Sequence, residues 1–265
     1  MVCTADDTVH FYDIESDASI KSLKFANHQV SHIAWNPHRQ GELICNVRVG
    51  MYVCDMNKET LKKMAFSPPS RTTAFAQHPL LPNLLACGTV EGGVWLSKTD
   101  GGSANHRLSQ RYETAIADIS FDPKSEDYVL VATTGGRVAL WTLQGAFDAG
   151  KNAVKPFLVM EFQKQQNGLT AAKFIDGMPG TFVTASDRHG VVRVWNVSNA
   201  APLHSIKTDH GPVSSIASLQ NETKAAVSFA SGHVAVLDVK DHRVQWSNDG
   251  GHTETIFDCH LSEEN

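Results

Sequence analysis

Apolar and polar residues alternate with period two in short runs along the whole chain, and the runs recur in a fixed order. Six of them are Val9–Asp13, Met51–Asp55, Gly93–Ser97, Val138–Thr142, Val192–Asn196 and Val234–Asp238. Their final residues lie 42, 42, 45, 54 and 42 positions apart. Ahead of each of the last five stands another alternating run: Val30–Trp35, Thr72–Ala76, Ile116–Phe121, Leu169–Phe174 and Val213–Leu219. Period two with β-branched and aromatic residues predicts strands. Turn clusters such as Asn36-Pro37, Asp122-Pro123 and Gly177–Gly180 follow these runs, and a third apolar run comes next, as in Leu84–Cys87, Tyr128–Ala132 and Thr181–Ala185. Thr60–Met64, Phe157–Phe162 and Pro202–Ile206 supply a fourth.

Each period is therefore a four-stranded antiparallel unit. Such a sheet cannot cover both of its faces alone, so successive units must stack radially, and the predicted fold is an all-β propeller. The expected blades are 1–25 (partial), 26–66, 67–111, 112–163, 164–208, 209–249 and 250–265, the last contributing only a first strand over Thr255–Leu261. Three strands before residue 26, twenty in the full units and one at the end make 24, enough for a closed ring of six blades.

The repeat resembles the WD40 family, whose units carry a Gly-His turn about 25 residues before a Trp-Asp pair. Gly-His-like starts stand at Asn27-His28, Asp209-His210 and Gly251-His252, and Trp-Asp-like pairs at Tyr12-Asp13, Trp141-Thr142, Trp195-Asn196 and Leu237-Asp238. The strings Gly180–Ser198 and Gly251–Cys259 resemble long members of that family that begin with tandem propellers. That likeness implies more chain at both ends, so residues 1–265 read as part of a seven-bladed ring, with the closed six-bladed ring as the alternative. The resemblance also implies a buried network of the turn histidine, a hydroxyl on the second strand, an Asp in the next turn and the Trp of the third. His28, His210 and His252 fit the histidine, Thr4 the hydroxyl, and Asp6, six residues before Tyr12, the Asp. Asp187 precedes Trp195 by eight residues and fits less well; Trp141 and Trp195 fit the Trp.

Composition narrows the function. With 42% apolar and 19% charged residues the chain has material for a core, and its net charge of −5 argues against a broad grip on nucleic acid. No apolar run approaches membrane-spanning length, and the start Met1–Asp7 has neither a basic nor an apolar stretch of a secretory leader. Five scattered cysteines without C-x-x-C pairing read as reduced thiols, so a cytoplasmic location is expected.

Candidate chemistry is sparse. Gly145–Asn152 misses the phosphate-binding G-x-x-x-x-G-K-[ST] by its last hydroxyl, and Pro156 stands too close for the helix such a loop needs. His28 and His32 are four residues apart on extended chain, about 13 Å, too far to share a metal ion. No G-x-S-x-G elbow occurs. Neither a cofactor nor a catalytic residue is expected. The turns between second and third strands fall on one face of a propeller and carry Arg48, Arg137, Arg188, His189 and His233, beside Asp6, Asp7, Glu91 and Asp187. The basic members make a candidate patch for an acidic or phosphorylated partner; solvated turns of mixed sign are the alternative. The Arg-Arg string of phosphoinositide-binding propellers is absent, and of the positions two after each Trp-Asp-like aspartate only Lys240 is basic, which disfavours a cullin-adaptor role. The expected function is a non-catalytic scaffold that binds other proteins. The alternatives are an enzyme using the loop face and a nucleic-acid or anion binder working through the Arg turns.

Overall fold

Every alternating run named above except the last forms a strand in the computed structural model, which describes residues 2–3, 7–12, 18–25, 29–48, 50–58, 60–99, 105–147, 154–186, 188–248, 252–256 and 258–259. Blade 1 is a three-stranded sheet of β1 (Val2–Cys3), β2 (Thr8–Tyr12) and β3 (Ser19–Lys24). Five four-stranded antiparallel blades follow. Blade 2 contains β4 (Val30–Trp35), β5 (Glu42–Val47), β6 (Gly50–Asp55) and β7 (Thr60–Lys63); blade 3 contains β8 (Thr72–Gln77), β9 (Leu84–Thr89), β10 (Val94–Lys98) and β11 (His106–Arg107). Blade 4 is β12 (Ile116–Phe121), β13 (Tyr128–Thr133), β14 (Val138–Thr142) and β15 (Phe157–Glu161). Blade 5 is β16 (Leu169–Phe174), β17 (Thr181–Ser186), β18 (Val191–Asn196) and β19 (His204–Lys207), and blade 6 is β20 (Val213–Ser218), β21 (Lys224–Phe229), β22 (Val234–Asp238) and β23 (Arg243–Asn248). No helix occurs among the described residues, hence none long and apolar enough to cross a membrane.

Strands run in sequence order from the inside of each blade outward, and the first strands β8, β12, β16 and β20 pack on one another in turn. This is a β-propeller. The second strands are buried on both faces because their two sides feed different cores. Val129 and Val131 face blade 3, while Leu130 and Ala132 face blade 5. Leu43, Cys45 and Val47 likewise pack on Val9 and Phe11 of blade 1, whereas Ile44 packs towards Leu85 and Cys87 of blade 3. Period two persists in such a strand, but both of its faces are apolar.

All five first strands share a bulge after their first residue, between Val30 and His32, Thr72 and Ala74, Ile116 and Asp118, Leu169 and Ala171, and Val213 and Ser215. The extra residue leaves the ladder, which frees its side chain for the neighbouring blade. Thr73 Oγ1 donates to the Ile116 carbonyl at 2.7 Å, and Thr170 Oγ1 to that of Val213 at 2.9 Å. Asp118 accepts from the Ala172 amide at 2.9 Å and from Lys173 Nζ at 2.7 Å, a further tie between blades 4 and 5.

The C-terminal residues differ from expectation. Thr255, Ile256, Asp258 and Cys259 form no strand, although they lie along blade 6: Ser215 Oγ donates to Asp258 at 2.6 Å and Thr255 Oγ1 to the Ala230 carbonyl at 3.0 Å. The remaining residues of the expected strand, Phe257, His260 and Leu261, lie outside the described residues.

Candidate functional site

Backbone hydrogen bonds place the turns between second and third strands beside the segments that lead into the next blade. The Tyr112 amide donates to the Gly92 carbonyl at 2.9 Å, Gln165 to Gly136 at 2.9 Å and Thr208 to Gly190 at 2.6 Å. Gly92, Gly136 and Gly232 have φ of +78°, +86° and +83°, and a Cβ on each would run into the carbonyl oxygen of Tyr112, Gln165 or His252. Only glycine meets both demands. The contacts also identify Tyr112, Gln165, Thr208 and His252 as equivalent positions in successive blades.

Two of these positions hold buried polar networks. Trp195 Nε1 donates to Thr184 Oγ1 at 3.0 Å, Gln165 Nε2 donates to the same hydroxyl at 3.0 Å, and Arg193 Nη1 donates to Gln165 Oε1 at 2.8 Å. In blade 4 the residue matching Thr184 is Val131, and Trp141 Nε1 donates instead to the Tyr112 hydroxyl at 2.9 Å. Trp141 and Trp195 are thus fully buried and hydrogen-bonded, with Tyr112 and Gln165 at the positions that the resemblance gives to a turn histidine in other repeats. His210 does not hold this position. Thr208 does, its hydroxyl donating to the Gly190 carbonyl at 2.7 Å, while the His210 ring stacks on His233 with centroids 4.6 Å apart. His252 occupies the position through its backbone, and its side chain is exposed. Tyr12, at the end of β2, is also exposed. Thr4, Asp6, His28 and Asp187 lie outside the described residues. Counting four residues back from the first strands of blades 4 and 5 locates Tyr112 and Gln165.

The five candidate binding residues sit on four separate turns, of blades 2, 4, 5 and 6, and among the described residues no hydrogen bond, ion pair or ring contact joins them. Arg137 faces Glu161 at 3.6 Å, and His233 bonds Ser231 Oγ at 3.0 Å. Arg188 and His189 are exposed. Arg48 has different company. It lines a cleft of about 440 Å³ at the seam of blades 2 and 3, with Asn46, Ser67, Pro68, Arg71 and Thr72. Pro69 and Ser70 separate this cleft from a smaller one of about 100 Å³ containing Trp95, Arg107, Arg111 and Glu91. Arg107 stands over the Trp95 ring at 5.5 Å, and Arg111 pairs with Glu91 at 2.9 Å. Among the described residues no acidic side chain lines the larger cleft.

Nearer the axis, His32 is solvent-accessible yet enclosed on several sides by protein. Partial burial lowers its pKa below the ordinary histidine value, against the opposing pull of Asp258 and Asp118. Among the described residues no three His, Cys, Asp or Glu side chains gather closely enough to hold a metal ion. Gly145–Phe147 form a turn, with the Val154 amide donating to the Gly145 carbonyl at 3.0 Å; Lys151 and Asn152 lie outside the described residues. No protein-family model matches the chain.

Proposed function

We propose that this chain is a WD40-type propeller acting as a non-catalytic scaffold for other proteins, cytoplasmic and part of a multiprotein assembly. The observation that carries the reading is the rigid turn face. Neighbouring blades are tied by cross-blade bonds from Thr73, Thr170 and Asp118, and exposed cationic side chains stand on the turns above them. A surface held in place before contact loses little conformational entropy on binding, so moderate contacts suffice for affinity. The likeness of Gly180–Ser198 and Gly251–Cys259 to WD repeat-containing protein 17 supports a place within a longer chain whose propeller includes residues 1–265.

The test is affinity purification of the full-length protein from its source cells beside the triple variant Arg48→Ala, Arg137→Ala, Arg188→Ala, with quantitative mass spectrometry. A small stoichiometric set of proteins recovered by the wild type, and depleted in the variant, is expected. Recovery of no stoichiometric partner would refute the scaffold.

A further inference from the structure

The cleft at the seam of blades 2 and 3 is lined by two arginines and by a serine whose hydroxyl has no hydrogen-bond partner among the described residues. Ser67 Oγ is buried and has no hydrogen-bond partner among the described residues. A methyl group built on Gly50 would stand 2.9 Å from that oxygen and 3.8 Å from Lys63 Nζ, so both groups flank the bare backbone of Gly50 at the cleft wall. Arg48 and Arg71 line the same cleft. Arg48, Lys63 and Arg71 are exposed, and among the described residues none of the three has an ion-pair partner. A buried hydroxyl left unbonded is costly, and two unneutralised cations in one recess, with a third beside Gly50 at its edge, repel each other. Both penalties are relieved by one kind of guest, a compact anion with several acceptor oxygens.

We propose that this cleft binds the phosphorylated side chain of a phosphoserine or phosphothreonine in an extended partner segment. Arg48 and Arg71 take the phosphoryl oxygens, Lys63 adds positive charge from beside Gly50, and a turn of the Ser67 side chain about its χ1 brings the hydroxyl out of the wall to donate to one of them. A single carboxylate has two oxygens and one charge, which leaves most of these donors unused; a phosphate monoester carries close to two charges and three strong acceptors. The wall shared with the smaller cleft directs the rest of the segment. Beyond Pro69 and Ser70 lies Trp95, whose ring and the Arg107 guanidinium above it offer a surface for the next side chain. Two adjoining clefts suit an extended chain. A recess between blades on an acidic protein suits a flat lipid surface poorly. The proposal rests on the scaffold reading and specifies which partner chemistry that scaffold selects.

The full-length protein is passed over two immobilised pools of degenerate peptides, one with phosphoserine at the centre and one with serine there. Elution is by inorganic phosphate, and vesicles of phosphatidylcholine with phosphatidylinositol phosphates form a separate sedimentation arm. Retention on the phosphoserine pool should exceed that on the serine pool by about tenfold or more, as expected for charge-assisted contacts. Arg48→Ala with Arg71→Ala should abolish the difference at unchanged Tm. Ser67→Ala should weaken retention about threefold while Tm stays level or rises, since the unbonded hydroxyl is gone. Equal retention on both pools, an unaffected double variant, or binding to the vesicles alone would overturn the proposal. Should the double variant still recover its cellular partners, the scaffold stands and this site falls; recovery of no partner by the wild type removes the scaffold itself.

Discussion

His78 couples the seam of blades 3 and 4 to pH. It follows β8 and is completely buried, with its ring 4.6 Å from that of Phe121. Nδ1 accepts from the amides of Leu80 at 3.0 Å and Leu81 at 3.1 Å, which leaves Nε2 to donate to the Glu126 carbonyl at 3.2 Å. Burial, and the nearby His38, hold its pKa down to about 4 from the ordinary 6.5, despite the Glu126 bond. Because the folded value lies below the unfolded one, the unfolded chain takes up the proton first. The stabilising contribution is complete above pH 6.5 and is lost as pH falls from 6.5 to 4. The shift of 2.5 units corresponds to about 3 kcal/mol in full, of which about 2 kcal/mol is gone between pH 7.5 and pH 5. His78→Asn isolates this from the other histidines. Asparagine serves the same turn in blade 2, where Asn36 Oδ1 accepts the His38 amide at 2.9 Å. The variant should lose about 1–3 kcal/mol at pH 7.5 through the missing ring and Glu126 bond. Denaturant unfolding followed by tryptophan fluorescence, at fixed ionic strength from pH 7.5 to 5, should show the wild-type advantage shrinking by about 2 kcal/mol. Parallel pH profiles for the two proteins would refute the reasoning.

Thr184→Val leaves the Trp195 indole N–H without its acceptor in a closed site and should cost about 2–4 kcal/mol, lowering Tm by roughly 5–10 °C; Thr184→Ser should recover most of that in the same calorimetric scan. Gly136→Ala should destabilise by more than about 2 kcal/mol, because positive φ adds to a collision with the Gln165 carbonyl. Gly211→Ala, with φ +84° but open space around the new methyl, should cost only about 1 kcal/mol in the same denaturation assay. Native alkylation at pH 8 followed by peptide mass spectrometry should label Cys259 well before Cys45, Cys54 and Cys87, which are fully buried, with burial pushing the Cys87 thiol up to about 12.

The strands were legible because a blade's first and third strands keep the alternation that a half-buried sheet requires, and turn residues punctuate them. The second strands were legible only as apolar runs; which face of Leu130 or Val131 meets which blade depends on neighbours distant in sequence. The shared bulge left a faint sequence trace, a small or hydroxyl residue at Ser31, Thr73, Ala117, Thr170 and Ser214, which becomes meaningful only once the blades are side by side. The Trp networks were half legible. Trp141 and Trp195 stood out, but Tyr112 and Gln165 were invisible to a search for histidine, although either can supply a polar group at that depth. Arg48 was visible as a turn residue, and nothing nearby in sequence indicated that Lys63, Ser67 and Arg71 would be its neighbours.

Why the cleft forms at this seam follows from how the blades are filled. The buried core shared by blades 2 and 3 is Ile44, Met51, Met64, Leu85 and Cys87, with only Val53 and Phe75 packed against it; two of the five are flexible thioethers, and the Cys87 thiol packs against the Met51 sulfur at 3.3 Å. Blades 3 and 4 instead share large, branched and aromatic residues, among them Leu96, Ile119, Phe121 and Trp141. Small and unbranched side chains fill less of the wedge that opens between radiating sheets, so space remains at its edge. The link across that edge is Ser67-Pro68-Pro69-Ser70-Arg71, in which two fixed φ angles hold the chain extended and bring Arg71 opposite the turn of Arg48. A gap whose wall is fixed by two prolines loses little conformational freedom when a guest enters, and that preorganisation separates a binding recess from a packing defect.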